Sequence, residues 1–195
     1  CRAALHLDDA CRNGCHRYHR WFGAHVLAAR ADTRLRSGLS RTRCGLLFRN
    51  AVVYAPLAGE LYAARRGGGA TLNGRAIHVS GRDPGHSLVV CGSTIYDRSY
   101  TDRHFAILRH LYDRCLDYRR FASAALDCCM VACGRAEIFF ECRLSPWDYA
   151  AGSLIAQEAG GVAVRLDGSF LDPLRPGSVF ITNAACREMR QGLPE

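Results

Sequence analysis

Asp148 is the residue whose type and position most clearly suggest chemistry. It follows Trp147 and begins a predicted helix, Asp148–Ala159, that is almost entirely apolar and ends at Gly160 and Gly161. The start of a helix carries partial positive charge, so a carboxylate there is stabilised and can serve simply as a cap. A hard cation such as Mg²⁺ also prefers carboxylate oxygens held at the end of a rigid element. The pattern therefore leaves two interpretations of Asp148, a helix cap or a metal ligand.

Two further polar residues stand at the ends of predicted elements. Glu141 lies at the end of the predicted strand Ala136–Cys142, where it is either a ligand-binding carboxylate or a solvated strand end. Ser123 is of a type that caps helices, and the helix that it begins is predicted to run to about Cys133. Asp127 lies inside that helix and is interpreted as a structural residue.

Long, ordered blocks of the sequence resemble one known family. The run S-P-W-D-Y-A-A-G-S-L-I-A-Q-E-A-G-G covers residues 145–161, and F-A-S-A-A-L-D-C-C-M-V-A-C-G-R covers residues 121–135. A third block, V-V-Y-A-P-L-A-G-E-L-Y-A-A-R-R-G-G-G-A-T-L-N-G-R-A-I-H-V-S, covers residues 52–80. Over about residues 51–186, the chain resembles the inositol monophosphatase family, the Mg²⁺-dependent sugar-phosphate phosphatases.

The resemblance implies roles for four residues. Asp148 corresponds to a ligand of the Mg²⁺ cofactor, and Glu141 to a residue that hydrogen-bonds substrate hydroxyls. Ser123 and Ala124 correspond to positions that contact the substrate ring through small residues and backbone N–H groups. Ala122 stands where the family usually has glycine, which makes a close backbone approach less certain. The implied partner is a small phosphorylated metabolite.

The other metal motifs of the family are absent from the sequence. The motif D-P-x-D-G-T occurs nowhere in the 195 residues, and its slot falls near residues 21–25, W-F-G-A-H. The slot of the acidic G-E-E segment falls at or before Cys1, and Asp8, Asp9 and Asp32 are the only carboxylates in residues 1–50. We therefore assign no catalytic residue. A shifted reading frame over residues 1–49 and a rapidly diverged segment are both hypotheses for this loss.

Composition indicates a globular chain with a basic N-terminal segment. The hydrophobic share is 49% and the net charge +8, and residues 1–50 carry ten arginines against three aspartates. A basic nucleic-acid-binding protein is an alternative, although no recognisable motif accompanies the charge. The eleven cysteines contain no C-x-x-C pair, which favours free thiols in a reducing compartment. A C-x₃-C-H-x₂-H cluster at residues 11–19 could hold zinc, but no second pair follows it.

The order of predicted elements indicates the fold class α/β, as layered α+β. By the resemblance it is an inositol-monophosphatase-like α/β/α/β sandwich, truncated and disturbed at the N-terminus. Residues 1–49 form an irregular basic segment, residues 50–86 a β-hairpin part of the N-terminal sheet, and residues 87–190 a C-terminal α/β half. We expect residues 1 to about 45 to pack poorly and to leave the sheet edge beside the strand Asn50–Pro56 exposed.

Three functions follow as hypotheses. The first is Mg²⁺-dependent hydrolysis of an inositol or similar sugar monophosphate, with this chain expected to be inactive because two of the three metal-ligand blocks are missing. The second is a non-catalytic homologue that binds a phosphorylated ligand or a partner subunit, and a homodimer is possible. The third is nucleic-acid binding. No apolar run is long enough to span a membrane, and a cytoplasmic location is the default expectation.

Overall fold

Five antiparallel strands form the N-terminal sheet. The structure, a computed structural model, describes residues 25–27 and 49–194, and the sheet has the order β1-β2-β3-β4-β5. The dipeptide Asn73-Gly74 predicts a hairpin turn of the primed type, in which both central residues have positive φ, and their φ values of +50° and +78° confirm it. The strands are β1 (His25–Leu27), β2 (Asn50–Ala55), β3 (Glu60–Arg65), β4 (Ala70–Leu72) and β5 (Arg75–Ile77).

Strand β1 covers the edge of β2 that the sequence predicted to be exposed. The two strands are antiparallel, with His25 opposite Tyr54 and Leu27 opposite Val52. The prediction of an exposed edge was therefore wrong, because backbone groups of β1 hydrogen-bond along β2. Apart from β1, the residues for which poor packing was predicted, 1 to about 45, lie outside the described part of the chain, and so does the C-x₃-C-H-x₂-H cluster at residues 11–19.

A second five-stranded sheet has the order β7-β6-β8-β10-β9. β6 is parallel to β7 and β8, whereas β10 is antiparallel to β8 and β9. Because β6 and β8 are parallel, their carboxyl ends meet at the same edge of the sheet. The strands are β6 (Leu88–Cys91), β7 (Asp117–Arg119), β8 (Ile138–Leu144), β9 (Val162–Val164) and β10 (Gly177–Thr182).

Three α-helices within residues 49–194 complete a four-layer arrangement of sheet, helices, sheet and helix. They are α1 (Thr101–Tyr112), α2 (Ala124–Ala132) and α3 (Pro146–Glu158). Helices α2 and α3 share one core with both sheets, including Tyr62 of β3 and Phe139 of β8. Helix α1 packs on the far face of the second sheet, where Ile107 and Leu111 join Val89 and other residues. This confirms the predicted α/β/α/β sandwich.

Helices α2 and α3 approach closely because α3 has a glycine at the contact. A Cβ on Gly152 would lie 2.5 Å from the Cβ of Cys128 and 3.2 Å from the carbonyl oxygen of Ala125. Neither atom can move easily, because the Ala125 oxygen belongs to the backbone of α2 and the Cys128 Cβ is bonded directly to that backbone. The small residue at position 152 therefore allows the two helices to pack closely at this contact.

Some predicted elements differ from those observed. The spacing of Phe105, Leu108, Leu111 and Tyr112 indicates one helical face, but Phe105 and Tyr112 are 59% and 48% exposed, and His104 and Ile107 are buried instead. The sequence after Ala184 predicts a last helix, and the structure has only a short 3₁₀ turn there, Arg187–Arg190. Seven cysteines in the described part of the chain are free, as predicted. None of the helices built from described residues combines the length and apolarity needed to cross a lipid bilayer.

Candidate functional site

A cleft of about 500 Å³ opens where β6 and β8 end and where α2 and α3 begin. All four residues singled out by the sequence, Asp148, Glu141, Ser123 and Ala124, line this cleft. They converge because each stands at the end of an element, and those ends meet at one edge of the second sheet. The structure thus brings the predicted residues together, while their roles as metal ligand and substrate contacts stay predictions.

Glu141 is held rigidly in the wall of the cleft. Its Oε1 accepts a hydrogen bond from the backbone N–H of Thr94 at 2.9 Å and from Thr94 Oγ1 at 3.4 Å. Only 8% of the residue is exposed, and burial raises the pKa of its carboxyl to about 7, with the charge of Asp148 adding to the shift. A carboxyl whose pKa lies near neutrality and whose position is fixed suits recognition of a hydroxyl-bearing ligand.

Gly92 makes room for the Glu141 carboxylate. A Cβ at this position would lie 1.9 Å from Glu141 Oε2 and 2.3 Å from its Cδ. The carboxylate therefore rests against the backbone at the end of β6, in space that a side chain would fill. Gly92 was not singled out from the sequence, because only the folded structure brings position 141 against it.

Asp148 occupies the third position of helix α3 and closes a capping interaction there. Its Oδ2 accepts a hydrogen bond from the backbone N–H of Ser145 at 3.1 Å, and Pro146 begins the helix. The cap interpretation of Asp148 is thus seen directly. The same carboxylate faces the cleft and acts electrostatically on Glu141, so a role towards a ligand stays compatible with the cap.

The start of helix α2 presents unused polar groups to the cleft. Ser123 is the N-terminal boundary residue, yet its side chain makes no capping bond, contrary to the predicted cap. Its buried Oγ has no hydrogen-bond partner among residues 49–194. Ala122, with φ +67°, adopts a conformation that favours glycine. Thr94, on the opposite wall, has φ +42°, and strained residues of this kind cluster at ligand sites.

Asp127 is a site residue that the sequence did not single out. It is 0% exposed, and neither carboxylate oxygen has a hydrogen-bond partner within the described residues. Burial raises its pKa well above the usual range, the nearby charge of Glu141 raises it further, and Arg120 opposes the shift. The signal in the sequence was a lone carboxylate within the otherwise apolar helix A-A-L-D-C-C-M-V-A.

Cationic and aromatic side chains form the rim of the cleft. Arg120 and Arg143 both line it, and Arg120 Nε donates to Ser93 Oγ at 3.1 Å. Tyr96 and Trp147 lie beside them and are 83% and 61% exposed. The cleft therefore combines a carboxyl-bearing floor with a rim of two arginines and the exposed Asp97, and the arginines suit a ligand with an anionic group.

The carboxylates of the cleft do not fit a Mg²⁺ centre. Within residues 25–27 and 49–194, no three side chains of His, Cys, Asp or Glu are grouped so that they could hold a metal ion. Asp148 is engaged at the start of α3, Glu141 by Thr94, and Asp127 lies beneath the surface. Hard cations take six or more oxygen ligands, and the described residues do not assemble such a set.

Comparison with known proteins places the chain in a family. The sequence model of the inositol monophosphatase family matches residues 49–192. The chain belongs to the inositol monophosphatase family. Among solved structures, the inositol monophosphatase from Anabaena (Nostoc) sp. PCC 7120 superposes with a TM-score of 0.69 at 37% identity, covering 75% of this chain and 60% of that one. The extragenic suppressor protein suhB from Bartonella henselae gives 0.70 at 32% identity, covering 75% and 56%.

Several of the relatives that this chain matches are named Nus factor SuhB. The Nus factor SuhB of Escherichia coli strain K12 is 43% identical over 119 residues, which are 60% of this chain and 45% of that protein. The chain thus spans about half the length of such relatives. A structure of Staphylococcus aureus inositol monophosphatase II with bound inositol monophosphate has a TM-score of 0.66 at 26% identity, covering 74% of this chain and 56% of that one.

Proposed function

We propose that the cleft binds a small phosphorylated metabolite, an inositol or similar sugar monophosphate, and that these 195 residues do not hydrolyse it on their own. The observation that carries the proposal is the convergence of Glu141, the start of α2 and two rim arginines on one cleft of about 500 Å³. A volume of this size suits a small ligand. Family membership and the inositol-monophosphate complex of a structural neighbour support the choice of ligand class.

Each wall of the cleft would have a separate task. Glu141 would accept hydrogen bonds from ligand hydroxyls, and the fixed position of its carboxylate reduces the ordering cost of binding. Ser123 Oγ and the first N–H groups of α2 would contact the ring, as the family resemblance implies. Arg120 and Arg143 would attract the phosphate from the rim, because guanidinium groups match the geometry of phosphate oxygens.

Hydrolysis would need groups that the sequence does not supply. Family members are generally Mg²⁺-dependent, and a bound Mg²⁺ would polarise the phosphoryl oxygen and activate a water molecule. Asp148 is the only predicted ligand present, and D-P-x-D-G-T is absent from the 195 residues. The residues described here therefore retain groups that can bind a phosphorylated ligand, and we expect the ligand to bind without being hydrolysed.

At pH 8, where the Glu141 carboxyl with its pKa of about 7 is ionised, Glu141→Gln should weaken the binding of myo-inositol 1-phosphate by about tenfold, because a hydrogen bond to a charged group contributes roughly 1.5–3 kcal/mol. Titration calorimetry in EDTA measures this without interference from divalent metals. Glu188→Gln, at an exposed position outside the cleft, is the matched control and should bind like the unsubstituted chain. Equal affinity for the Glu141→Gln variant and the parent chain would contradict the assignment of Glu141.

We propose as a second candidate function the binding of a partner subunit, favoured by an edge of the second sheet that no other described strand covers. β7 is an edge strand of this sheet, and Leu116, Tyr118 and Tyr112 around it are 67%, 42% and 48% exposed. Antiparallel pairing of two copies about Tyr118 would place Asp117 of each opposite Arg119 of the other. The strand is thus complementary in charge to itself, which supports a homodimer.

Tyr118→Glu should dissociate such a dimer, because two like charges would meet at its centre. Sedimentation velocity of the chain at increasing concentration measures the association. Leu57→Glu, which alters an 84% exposed residue on the other sheet's β2–β3 turn, should leave the association unchanged. A chain that stays monomeric at every concentration would exclude the homodimer.

A further inference from the structure

A second cavity, of about 50 Å³, lies beside strands β9 and β10 and shares no lining residue with the cleft. Thr182 of β10 and two arginines of the 3₁₀ turn, Arg187 and Arg190, line it. We propose that this cavity binds a small tetrahedral oxyanion, phosphate or sulfate, between the Thr182 hydroxyl and the two guanidinium groups. The proposal is independent of the function of the cleft.

The Thr182 hydroxyl is a buried group that lacks a partner. The residue is 1% exposed, and its Oγ1 has no hydrogen-bond partner among residues 49–194. Its backbone is fixed on both sides, opposite Ile138 of β8 and Val162 of β9. Burying an unpaired hydroxyl is unfavourable, so a ligand oxygen in the adjoining cavity would complete an interaction that the fold leaves open.

Arg190 is oriented towards the cavity by its surroundings. Its Nη1 donates to the carbonyl oxygen of Leu166 at 3.3 Å. A Cβ on Gly168, another residue of the lining, would lie 2.6 Å from Arg190 Cζ, so the guanidinium rests directly on the glycine backbone. Asp167 interacts electrostatically with Arg190, but one of its oxygens accepts the N–H of Ser169 at 2.8 Å.

Size and charge together favour an anion in this cavity. A single water molecule needs roughly 10–15 Å³ of such space, and about 50 Å³ is present. Guanidinium groups bind phosphate and sulfate oxygens through short, charge-assisted hydrogen bonds. The Thr182 hydroxyl adds a neutral donor to the same lining. The cavity is too small for an inositol ring, which separates this site from the cleft.

Titration calorimetry with inorganic phosphate, in EDTA and at constant ionic strength, tests the site in the whole chain. We expect saturable binding that Thr182→Val and Arg187→Gln each weaken by about tenfold or more. Arg75→Gln, at an exposed position on strand β5 and in the lining of neither cavity, should leave it unchanged. Sulfate should compete with phosphate for the site.

A denaturation curve without phosphate separates loss of binding from loss of folding. Removing an unpaired buried hydroxyl leaves the free energy of unfolding nearly unchanged or raises it. The Thr182→Val variant should therefore unfold at the same urea concentration as the parent chain or at a higher one. Undiminished phosphate binding by Thr182→Val or by Arg187→Gln, or loss of binding in Arg75→Gln, would each overturn the proposal. Absence of saturable phosphate binding would overturn it as well.

Discussion

Replacing Gly92 with alanine is expected to lower the free energy of unfolding by about 1–3 kcal/mol, the usual cost of overpacking a filled site, and to abolish ligand binding in the cleft. The new Cβ would lie 1.9 Å from Glu141 Oε2. The carboxylate must then move, and moving it breaks its hydrogen bonds to Thr94. Urea denaturation measures the first effect, and calorimetric titration with inositol 1-phosphate measures the second.

The matched control for Gly92→Ala is Gly81→Ala, because a Cβ at position 81 meets no atom within 4 Å. It should change neither the stability beyond about 0.5 kcal/mol nor the binding. A double variant tests the contact itself. In a chain that already carries Glu141→Ala, Gly92→Ala should lower the free energy of unfolding much less than it does in the parent chain. If the two losses of unfolding free energy simply add, the two residues do not meet as described.

Asp127→Asn should raise the free energy of unfolding near pH 7.5, and raise it by much less near pH 4, because asparagine carries no charge that burial must neutralise. The raised pKa of Asp127, caused first by burial and then by the charge of Glu141, means that the folded chain holds a proton that the unfolded chain releases. The parent chain therefore loses stability as pH rises from about 4. The asparagine variant has no ionisable group at this position, so it does not lose this part of its stability as the pH rises.

Urea denaturation of both chains at pH 4, 6 and 7.5 measures the difference. Asp102→Asn, at an exposed position on α1, serves as the control, and the difference from the parent should be small and nearly independent of pH. A variant of Asp127 that is less stable than the parent at pH 7.5 would contradict the account. It would indicate that the carboxylate has a favourable partner, such as an ordered water or ion.

The sequence was sufficient to locate the cleft but not to describe how it is built. Asp148, Glu141 and Ser123 could be found because polar residues at the ends of apolar elements follow from local pattern alone. Asp127 could not be assigned to the site, because its burial depends on how α2 packs beneath the cleft. Gly92 and Thr94 were missed because their contact with Glu141 joins residues 47 or more positions apart.

Errors in the fold have the same origin. Phe105 and Tyr112 are apolar enough to be assigned to a core, yet the second sheet meets the neighbouring face of α1, which carries Ile107 and Leu111. The edge of β2 was predicted to be free because residues 1–49 show no regular period. Three residues of backbone are sufficient to pair with it, and backbone pairing needs no particular side chains.

Phosphate release from inositol 1-phosphate in the presence of Mg²⁺ is the measurement that most directly tests whether these residues bind without hydrolysis. The transition state of phosphate transfer requires charge stabilisation by metal ions and positioned donors, and losing it costs many orders of magnitude in rate. We expect no release above the buffer background, and the same result for the Asp148→Asn variant. A turnover that depends on Mg²⁺ and that Asp148→Asn abolishes would contradict the account.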